Sequence, residues 1–121
     1  MQPDPKDMAR LWDMLDAGRA AIGFTAGRRY EDLLADRMLR SAVERNLEII
    51  GEAARCVSLE TRENYPDIPW RSMIGLRNVL AHEYGDIRYE ILWAIIGEKL
   101  APLIQQLEDM GVDNPPPVEE T

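Results

Sequence analysis

Cysteine and histidine, on which most redox and zinc sites depend, are almost absent from this sequence of 121 residues. Its one cysteine, Cys56, excludes a disulfide within the chain, and its one histidine is His82. These two residues are too few to build a zinc site from histidine and cysteine in a single chain. Glycine-rich loops that cradle phosphates are also missing. We therefore predict no metal and no cofactor, and a reducing cytoplasm as the setting of the protein.

Long apolar runs and strand-like patterns are absent as well. No stretch approaches the roughly 18 apolar residues that a membrane span needs. The opening MQPDPKDMARLW lacks the basic end and the apolar run of a signal peptide. No segment alternates apolar and polar residues as a half-buried strand does. The sequence thus predicts a helical protein with no membrane association.

Basic residues are outnumbered, with 14 lysines and arginines against 22 acidic residues and a net charge of −8. Such a balance argues at first against a nucleic-acid partner, because phosphate binding usually leaves a basic surface. However, five of the acidic residues lie in the last fourteen positions, which hold no basic residue. We therefore expect any RNA binding to depend on a local cluster of positive residues.

Proline and charge divide the chain into three segments. Residues 1–6 (MQPDPK) hold two prolines and are expected to be frayed. Residues 111–121 (GVDNPPPVEET) are expected to form an acidic, proline-rich flexible tail. Between them, residues 7–110 are predicted to form one helical domain, because a chain of this size normally makes a single domain.

The spacing of apolar residues predicts about four main helices and a short one in the central segment. These helices are expected at about 7–22, 31–35, 37–59, 70–82 and 89–110. Asp36 is predicted to cap the helix that follows it, and Pro102 is predicted to kink the last helix. The predicted fold class is all-α, an antiparallel up-and-down bundle of about four main helices plus short helices.

The helix predicted at 37–59 carries two adjacent apolar stripes. One stripe consists of Met38, Ala42, Ile49, Ala53 and Val57, and the other of Leu39, Val43, Leu47, Ile50 and Ala54. Together they are too wide for a helix with a single neighbour. Two interpretations stay open: a central helix of the bundle, or a helix that turns part of this arc toward a second copy of the chain.

An unusual group of polar residues lies in LRNVLAHEYGD, residues 76–86. Asn78 and His82 are four residues apart and share a face if the helix continues, and Arg77 and Tyr84 are seven apart. Structural roles would explain each of them. A histidine suits the negative end of a helix, an arginine pairs with a surface carboxylate, and a tyrosine ring packs against the last helix.

This stretch resembles the R-x4-H-x-Y motif of HepT-like toxins in the HEPN superfamily, and it reads RNVLAHEY at residues 77–84. The segments RNLEIIGEAA at 45–54 and YPDIPWRSMIGLRN at 65–78 are similar to the same family. The resemblance covers roughly residues 7–110. It implies a HEPN-like antiparallel helical bundle that forms a homodimer and brings two copies of the motif together.

The resemblance also implies a function, the toxin of a type VII-like toxin–antitoxin pair. Its activity would be metal-independent cleavage of RNA, with transfer RNA among the candidate targets and no DNA substrate. Arg77 and His82 become the catalytic residues, and Asn78 becomes a supporting residue. Tyr84 becomes the residue to which a minimal, MntA-like nucleotidyltransferase antitoxin attaches AMP. The alternative is a non-catalytic helical module that docks onto a nucleotidyltransferase.

The chemistry of RNA is consistent with this set of residues. RNA carries its own nucleophile, the 2′-hydroxyl, so no metal-bound water is required. A histidine suits the general base, and an arginine donates paired hydrogen bonds to phosphate oxygens as their charge grows. One chain has one histidine, so a dimer would supply the acid for the leaving oxygen from His82 of the second copy.

Two further features are expected to be structural. Glu48 and Glu52 lie four residues apart, and we interpret them as a solvated face or as partners of Arg45 and Arg55. Trp70 is expected to anchor the start of a helix in the core.

Overall fold

The computed structural model describes residues 3–81 and 87–112, and every regular element in these ranges is an α-helix. The eight helices are α1 (Pro5–Thr25), α2 (Tyr30–Ala35), α3 (Arg37–Cys56), α4 (Leu59–Asn64), α5 (Trp70–Ile74), α6 (Leu76–Leu80), α7 (Tyr89–Glu98) and α8 (Leu100–Asp109). The predicted all-α fold class is therefore confirmed. None of these eight helices is both long enough and apolar enough to cross a membrane.

Capping residues set the starts of the two long helices. The Asp4 carboxylate accepts a hydrogen bond from a backbone N–H in the first turn of α1 at 2.7 Å, and Pro5 is the first residue of that turn. For this reason α1 begins two residues before the predicted start. At α3, the Asp36 carboxylate accepts hydrogen bonds from the N–H groups of Met38 (3.0 Å) and Leu39 (3.1 Å). The predicted cap at Asp36 is confirmed.

Side chains of α1, α3 and α8 form the centre of the hydrophobic core. The fully buried residues of these helices include Leu11, Leu15, Val43, Leu47, Ile50, Leu100, Leu103 and Leu107. Burial of such a side chain contributes roughly 2 kcal/mol to folding. The stripe of α3 that contains Leu47 therefore faces its own core, as a central bundle helix does. In the other stripe, Ala53 and Val57 are buried, whereas Met38 is 81% exposed.

A buried carboxylate ties the start of α1 to the turn after α3. Asp7 accepts hydrogen bonds from the N–H (3.0 Å) and hydroxyl (2.6 Å) of Ser58 and from the hydroxyl of Thr61 (2.6 Å). Because the beginning of α1 thus meets the end of α3, these two helices run antiparallel. The sequence predicted a helix that continues to residue 59, but α3 ends at Cys56. Ser58 instead caps α4, since its hydroxyl accepts the N–H of Thr61.

The single helix predicted at 70–82 is in fact two short helices, α5 and α6, which are separated by Gly75. Glycine is a poor helix former, so the chain interrupts the helix there at little cost. The second helix ends at Leu80, and the backbone of Ala81 is extended with a ψ of 139°. Trp70 begins α5 and is 9% exposed, which confirms its predicted role as an anchor in the core.

The helix predicted at 89–110 is also divided, with α7 and α8 separated at Lys99. Pro102 has no N–H to donate to the carbonyl of Glu98, and its ring crowds that carbonyl. The predicted position of the disturbance near Pro102 is confirmed, but the helix is interrupted at Lys99, whereas a kink within one continuous helix was expected.

The end of α8 is closed by the first two residues after Met110. Gly111 has a φ of 88°, in the left-handed region that favours glycine. Its N–H donates to the carbonyl of Glu108 at 2.9 Å, and the N–H of Val112 donates to the carbonyl of Leu107 at 3.1 Å. This is a Schellman motif, and Val112 is buried beneath it. Residues 113–121, the rest of the predicted tail, lie outside the described part of the chain.

Candidate active site

Close packing of α6 against α3 positions the arginine of the motif. Gly51 of α3 faces this contact, and a Cβ placed on it would lie 3.1 Å from the carbonyl oxygen of Met73 and 3.8 Å from Cγ of Arg77. Leu76 is buried at the same contact. The absence of a side chain at Gly51 therefore allows the segment that carries Arg77 to lie directly on α3.

Arg77 lines an open groove of about 520 Å³ between α1, α3 and α6, which we call the mixed groove. Its charged lining residues are Arg10, Asp13, Arg45, Glu48, Glu52 and Arg77. Ile49, Ala53, Leu80 and Ala81 complete the lining. Among these described residues positive and negative groups are equal in number, so this part of the groove offers no net attraction to an anion.

The carboxylates on the α3 wall of the mixed groove are paired with arginines of the same helix. Glu48 accepts from Arg45 at 3.0 Å, and Glu52 accepts from Arg55 at 2.5 Å. The predicted partners of both glutamates are therefore confirmed, and these exposed pairs contribute little to stability. A hydrogen bond from Arg55, followed by the positive charges of Arg55 and Arg77, lowers the pKa of Glu52. Glu52 thus remains a negative charge beside Arg77.

The α1 wall of the mixed groove holds a third carboxylate, whose pKa is shifted in the opposite direction. Burial raises the pKa of Asp13, and the charge of Asp16 adds to this effect, while Arg10 opposes it. Asp13 and Arg10 were not identified from the sequence, because their relation to the motif depends on how α1 packs against α3.

Arg77 also lines a second open groove, of about 540 Å³, which we call the basic groove. Its lining residues are Arg55, Arg71, Ile74, Gly75, Arg77, Asn78 and Ala81. None of these residues is acidic. The side chains of Arg71 and Arg77 form no hydrogen bond or ion pair with any other described residue. The basic groove therefore has three arginines in its described wall, of which Arg55 is paired with Glu52 while Arg71 and Arg77 are not paired with any described carboxylate.

Sequence reasoning identified Arg77 and Asn78 but missed Arg71. Arg71 precedes Arg77 by six residues, and a continuous helix would place two such side chains about 120° apart around its axis. The break at Gly75 removes that constraint, and both side chains line the same groove. A glycine between two arginines in WRSMIGLR was the signal available in the sequence.

Two residues of the motif, His82 and Tyr84, lie outside the described residues. Arg77 and Asn78 lie together in α6 and line the basic groove. The expectation that Asn78 and His82 share a helix face required a helix through residue 82. The extended backbone of Ala81 ends α6 at Leu80, and the position of His82 itself lies outside the described residues.

Within residues 3–81 and 87–112, no three histidine, cysteine, aspartate or glutamate side chains are placed to hold a metal ion. The thiol of Cys56 is free and exposed at the end of α3. The chemistry that the described site offers is that of guanidinium groups, which bind phosphate oxygens through paired hydrogen bonds.

Comparison with known proteins gives matches over most of the chain. The profile of the family described as Ribonuclease HepT-like matches residues 14–110. The candidate RNase MJ1380 of Methanocaldococcus jannaschii is 41% identical over 100 residues, which are 83% of this chain and 92% of the relative. The candidate RNase MJ0127 of the same organism is 36% identical over 105 residues, which are 87% of each chain.

A third relative comes from another archaeon. The probable ribonuclease HepT of Thermococcus cleftensis is 34% identical over 100 residues, which are 83% of this chain and 91% of the relative. No solved structure matches the chain. The family match includes the part of the chain that carries Arg77, Asn78, His82 and Tyr84. The chain therefore belongs to the Ribonuclease HepT-like family.

Proposed function

We propose that this chain is a metal-independent ribonuclease, the cytoplasmic toxin of a type VII-like toxin–antitoxin pair, and that Arg77 and His82 cleave RNA. The observation that carries the proposal is the exposed side chain of Arg77, which lines two open grooves and is unpaired among the described residues. An arginine in this state is available to bind a phosphate. The family and the names of its members support RNA as the substrate.

In the proposed reaction, the nucleophile comes from RNA itself. His82 takes the proton of a 2′-hydroxyl, whose oxygen bonds to the adjacent phosphorus while the bond from phosphorus to the 5′-oxygen breaks. Arg77 donates hydrogen bonds to the non-bridging oxygens, on which negative charge grows. The products are a 2′,3′-cyclic phosphate and a 5′-hydroxyl. Asn78, beside Arg77, supports the reaction by holding the phosphate.

A homodimer would supply the acid that protonates the leaving 5′-oxygen, namely His82 of the second copy. The exposed part of α3 supports this assembly. Met38 is 81% exposed, and Ala42 and Ile49 of the same stripe are only partly buried. An exposed methionine beside partly buried apolar residues is typical of a surface that another protein covers. We therefore propose this part of the stripe as the dimer contact.

Adenylylation of Tyr84 is the proposed control of the toxin. The tyrosine oxygen attacks the α-phosphate of ATP, a proton leaves the hydroxyl, and pyrophosphate departs. The nucleotidyltransferase antitoxin catalyses this transfer. The attached phosphodiester is negative, so beside Arg77 it occupies the position of the RNA phosphate and stops cleavage by the same electrostatics as phosphorylation. The positive charge of the basic groove supports this mode of inhibition.

Growth of a host that expresses the chain without its antitoxin tests the proposed function. Wild type is expected to arrest growth and to leave RNA fragments with cyclic phosphate ends. His82→Ala and Arg77→Ala are expected to do neither at equal protein levels. Arg37→Ala is the matched control, because this exposed arginine lines neither groove.

The same experiment separates the nuclease from the docking module. A harmless wild type, or a His82→Ala variant that is equally toxic, contradicts the nuclease. A wild type that binds a nucleotidyltransferase stably but cuts no RNA identifies the docking module instead.

A further inference from the structure

The two grooves that meet at Arg77 differ in charge. The mixed groove holds three carboxylates, of which Glu48 and Glu52 are already paired with arginines. The basic groove holds Arg55, Arg71 and Arg77 and no acidic residue in its described lining. A polyanion that places one phosphate on Arg77 therefore meets arginines and carboxylates in equal number on one path, and only arginines among the described charged residues on the other.

Arg71 is the residue of the basic groove that is freest to bind a second phosphate. It is exposed, and it forms no hydrogen bond or ion pair with any other described residue. Arg55 is different, because its guanidinium already donates to Glu52. A phosphate near Arg55 must compete with that carboxylate, whereas a phosphate near Arg71 meets no such competitor among the described lining residues.

The break at Gly75 places Arg71 and Arg77 on two separate short helices that line the same groove. Arg71 lies in α5 and Arg77 in α6, and Gly75, which separates the two helices, itself lines the basic groove. A Cβ on Gly75 would lie 3.1 Å from the carbonyl oxygen of Arg71, so a glycine relieves crowding at the junction of the two helices. Two arginines on successive short helices can thus contact successive phosphates of one strand.

We propose that the basic groove binds the RNA backbone next to the cleavage position, and that Arg71 is the positioning residue for the phosphate that neighbours the one on Arg77. This inference rests on the proposed function, because it takes RNA as the substrate. It also gives the strand a direction of approach, along α5 and α6 and away from the carboxylates of the mixed groove.

Binding of a fluorescent single-stranded RNA of mixed sequence tests this subsite. We would measure fluorescence anisotropy with full-length His82→Ala protein, so that the RNA stays intact, over a series of salt concentrations. Arg71→Gln is expected to weaken binding about fivefold at low salt. It is also expected to reduce the slope of log K against log salt by about 0.7, the value for one contact to a single strand.

Arg37→Gln is the matched control, since Arg37 is also exposed and unpaired among the described residues but lines neither groove. It removes the same charge about 27 Å along α3 from Arg55. Equal losses in Arg71→Gln and Arg37→Gln would mean that only net charge matters, and this result overturns the subsite. Wild-type affinity in Arg71→Gln overturns it too. Circular dichroism verifies that both variants stay folded.

The same measurements distinguish failure of the Arg71 subsite from failure of the proposed ribonuclease function. If wild type cuts no RNA but the histidine variant binds RNA through Arg71, the nuclease fails and the subsite stands. If wild type cuts RNA and Arg71→Gln has an unchanged KM and salt slope, the nuclease stands and the subsite fails. An Arg71→Gln variant that binds RNA normally but no longer retains the nucleotidyltransferase assigns the groove to a protein and also overturns the proposal.

Discussion

Gly51 of α3 lies so close to Met73 of α5 that a side chain on Gly51 would press against the backbone carbonyl of Met73. A Cβ on Gly51 would lie 3.8 Å from Cγ of Arg77 and only 3.1 Å from the carbonyl oxygen of Met73. A backbone carbonyl cannot move aside as the end of a flexible side chain can. Gly51 therefore sets the distance between α3 and the helices that carry Arg71 and Arg77.

Replacement of Gly51 by alanine is expected to lower kcat/KM for RNA several-fold, because the added methyl group presses on the carbonyl of Met73 and shifts the segment that carries Arg77. The gain in helix propensity is about 1 kcal/mol and is offset by overpacking of about 1–3 kcal/mol, so the melting temperature is expected to stay equal or fall. Gly97→Ala is the control, since a Cβ on Gly97 meets no atom within 4 Å. It is expected to raise the melting temperature and leave cleavage unchanged. Wild-type cleavage by Gly51→Ala would contradict the role of this contact.

The negative charge of Glu52 is expected to oppose RNA binding. Glu52→Gln removes that charge beside Arg77 and releases Arg55, so the affinity for single-stranded RNA should rise about two- to fivefold in a catalytically inactive background. Glu90→Gln is the matched control, because Glu90 pairs with Arg88 at 3.1 Å and lines neither groove. Weaker binding by Glu52→Gln would show that this carboxylate orders the site rather than repels the substrate.

Stability is expected to depend on pH through Asp7. Burial alone would raise the pKa of Asp7, but hydrogen bonds from Ser58 and Thr61 outweigh it and hold the pKa below its ordinary value of 3.8. Because the pKa is lower in the folded state, this stabilisation is complete above about pH 3.8 and is lost as the pH falls through the folded-state pKa. Asp7→Asn should therefore cost about 1–3 kcal/mol at neutral pH and less in acid.

Urea unfolding of wild type and Asp7→Asn at a series of pH values measures this difference. Asp67→Asn serves as the control, because Asp67 is an exposed aspartate for which a small, constant effect is expected. A free-energy difference between wild type and Asp7→Asn that stays constant from neutral to acidic pH would contradict the linkage.

Two nearby tyrosines, Tyr84 and Tyr89, allow the position of the proposed modification to be tested. Intact mass after coexpression with an MntA-like nucleotidyltransferase is expected to show added AMP on wild type and none on Tyr84→Phe. Tyr89→Phe should still be modified, because the Tyr89 hydroxyl is partly buried and donates to Glu44 at 2.9 Å. A mass increase that persists in Tyr84→Phe and disappears in Tyr89→Phe would move the modification to Tyr89.

Mixed dimers test whether both histidines serve one cleavage event. If each reaction uses a base from one copy and an acid from the other, dimers with one wild-type chain and one His82→Ala chain should lose nearly all activity. The activity would be measured on purified heterodimers that carry two different affinity tags. Retention of about half the activity would show that each copy works alone.

Local signals explain which parts of the fold were predictable. The cap at Asp36, the ion pairs of Glu48 and Glu52, and the anchoring of Trp70 all follow from neighbours within a few residues. Boundaries that depend on competing backbone effects were predicted less well. At Gly75 and Pro102, apolar periodicity continues through the break, so the pattern alone indicated longer helices than the backbone supports.

The sequence by itself determined the fold class and the main helical segments, because helical periodicity is a local property of the chain, and its resemblance to the HepT-like family marked Arg77, Asn78, His82 and Tyr84 as candidate site residues. Only the tertiary structure decided that Arg71 joins Arg77 in one groove while Glu52 stands in the other. That arrangement depends on close packing at Gly51 and on charges from separate helices. The net charge of −8 does not reveal this distribution of charge, because a bound phosphate interacts mainly with charges within a few ångströms and not with the total charge of the chain.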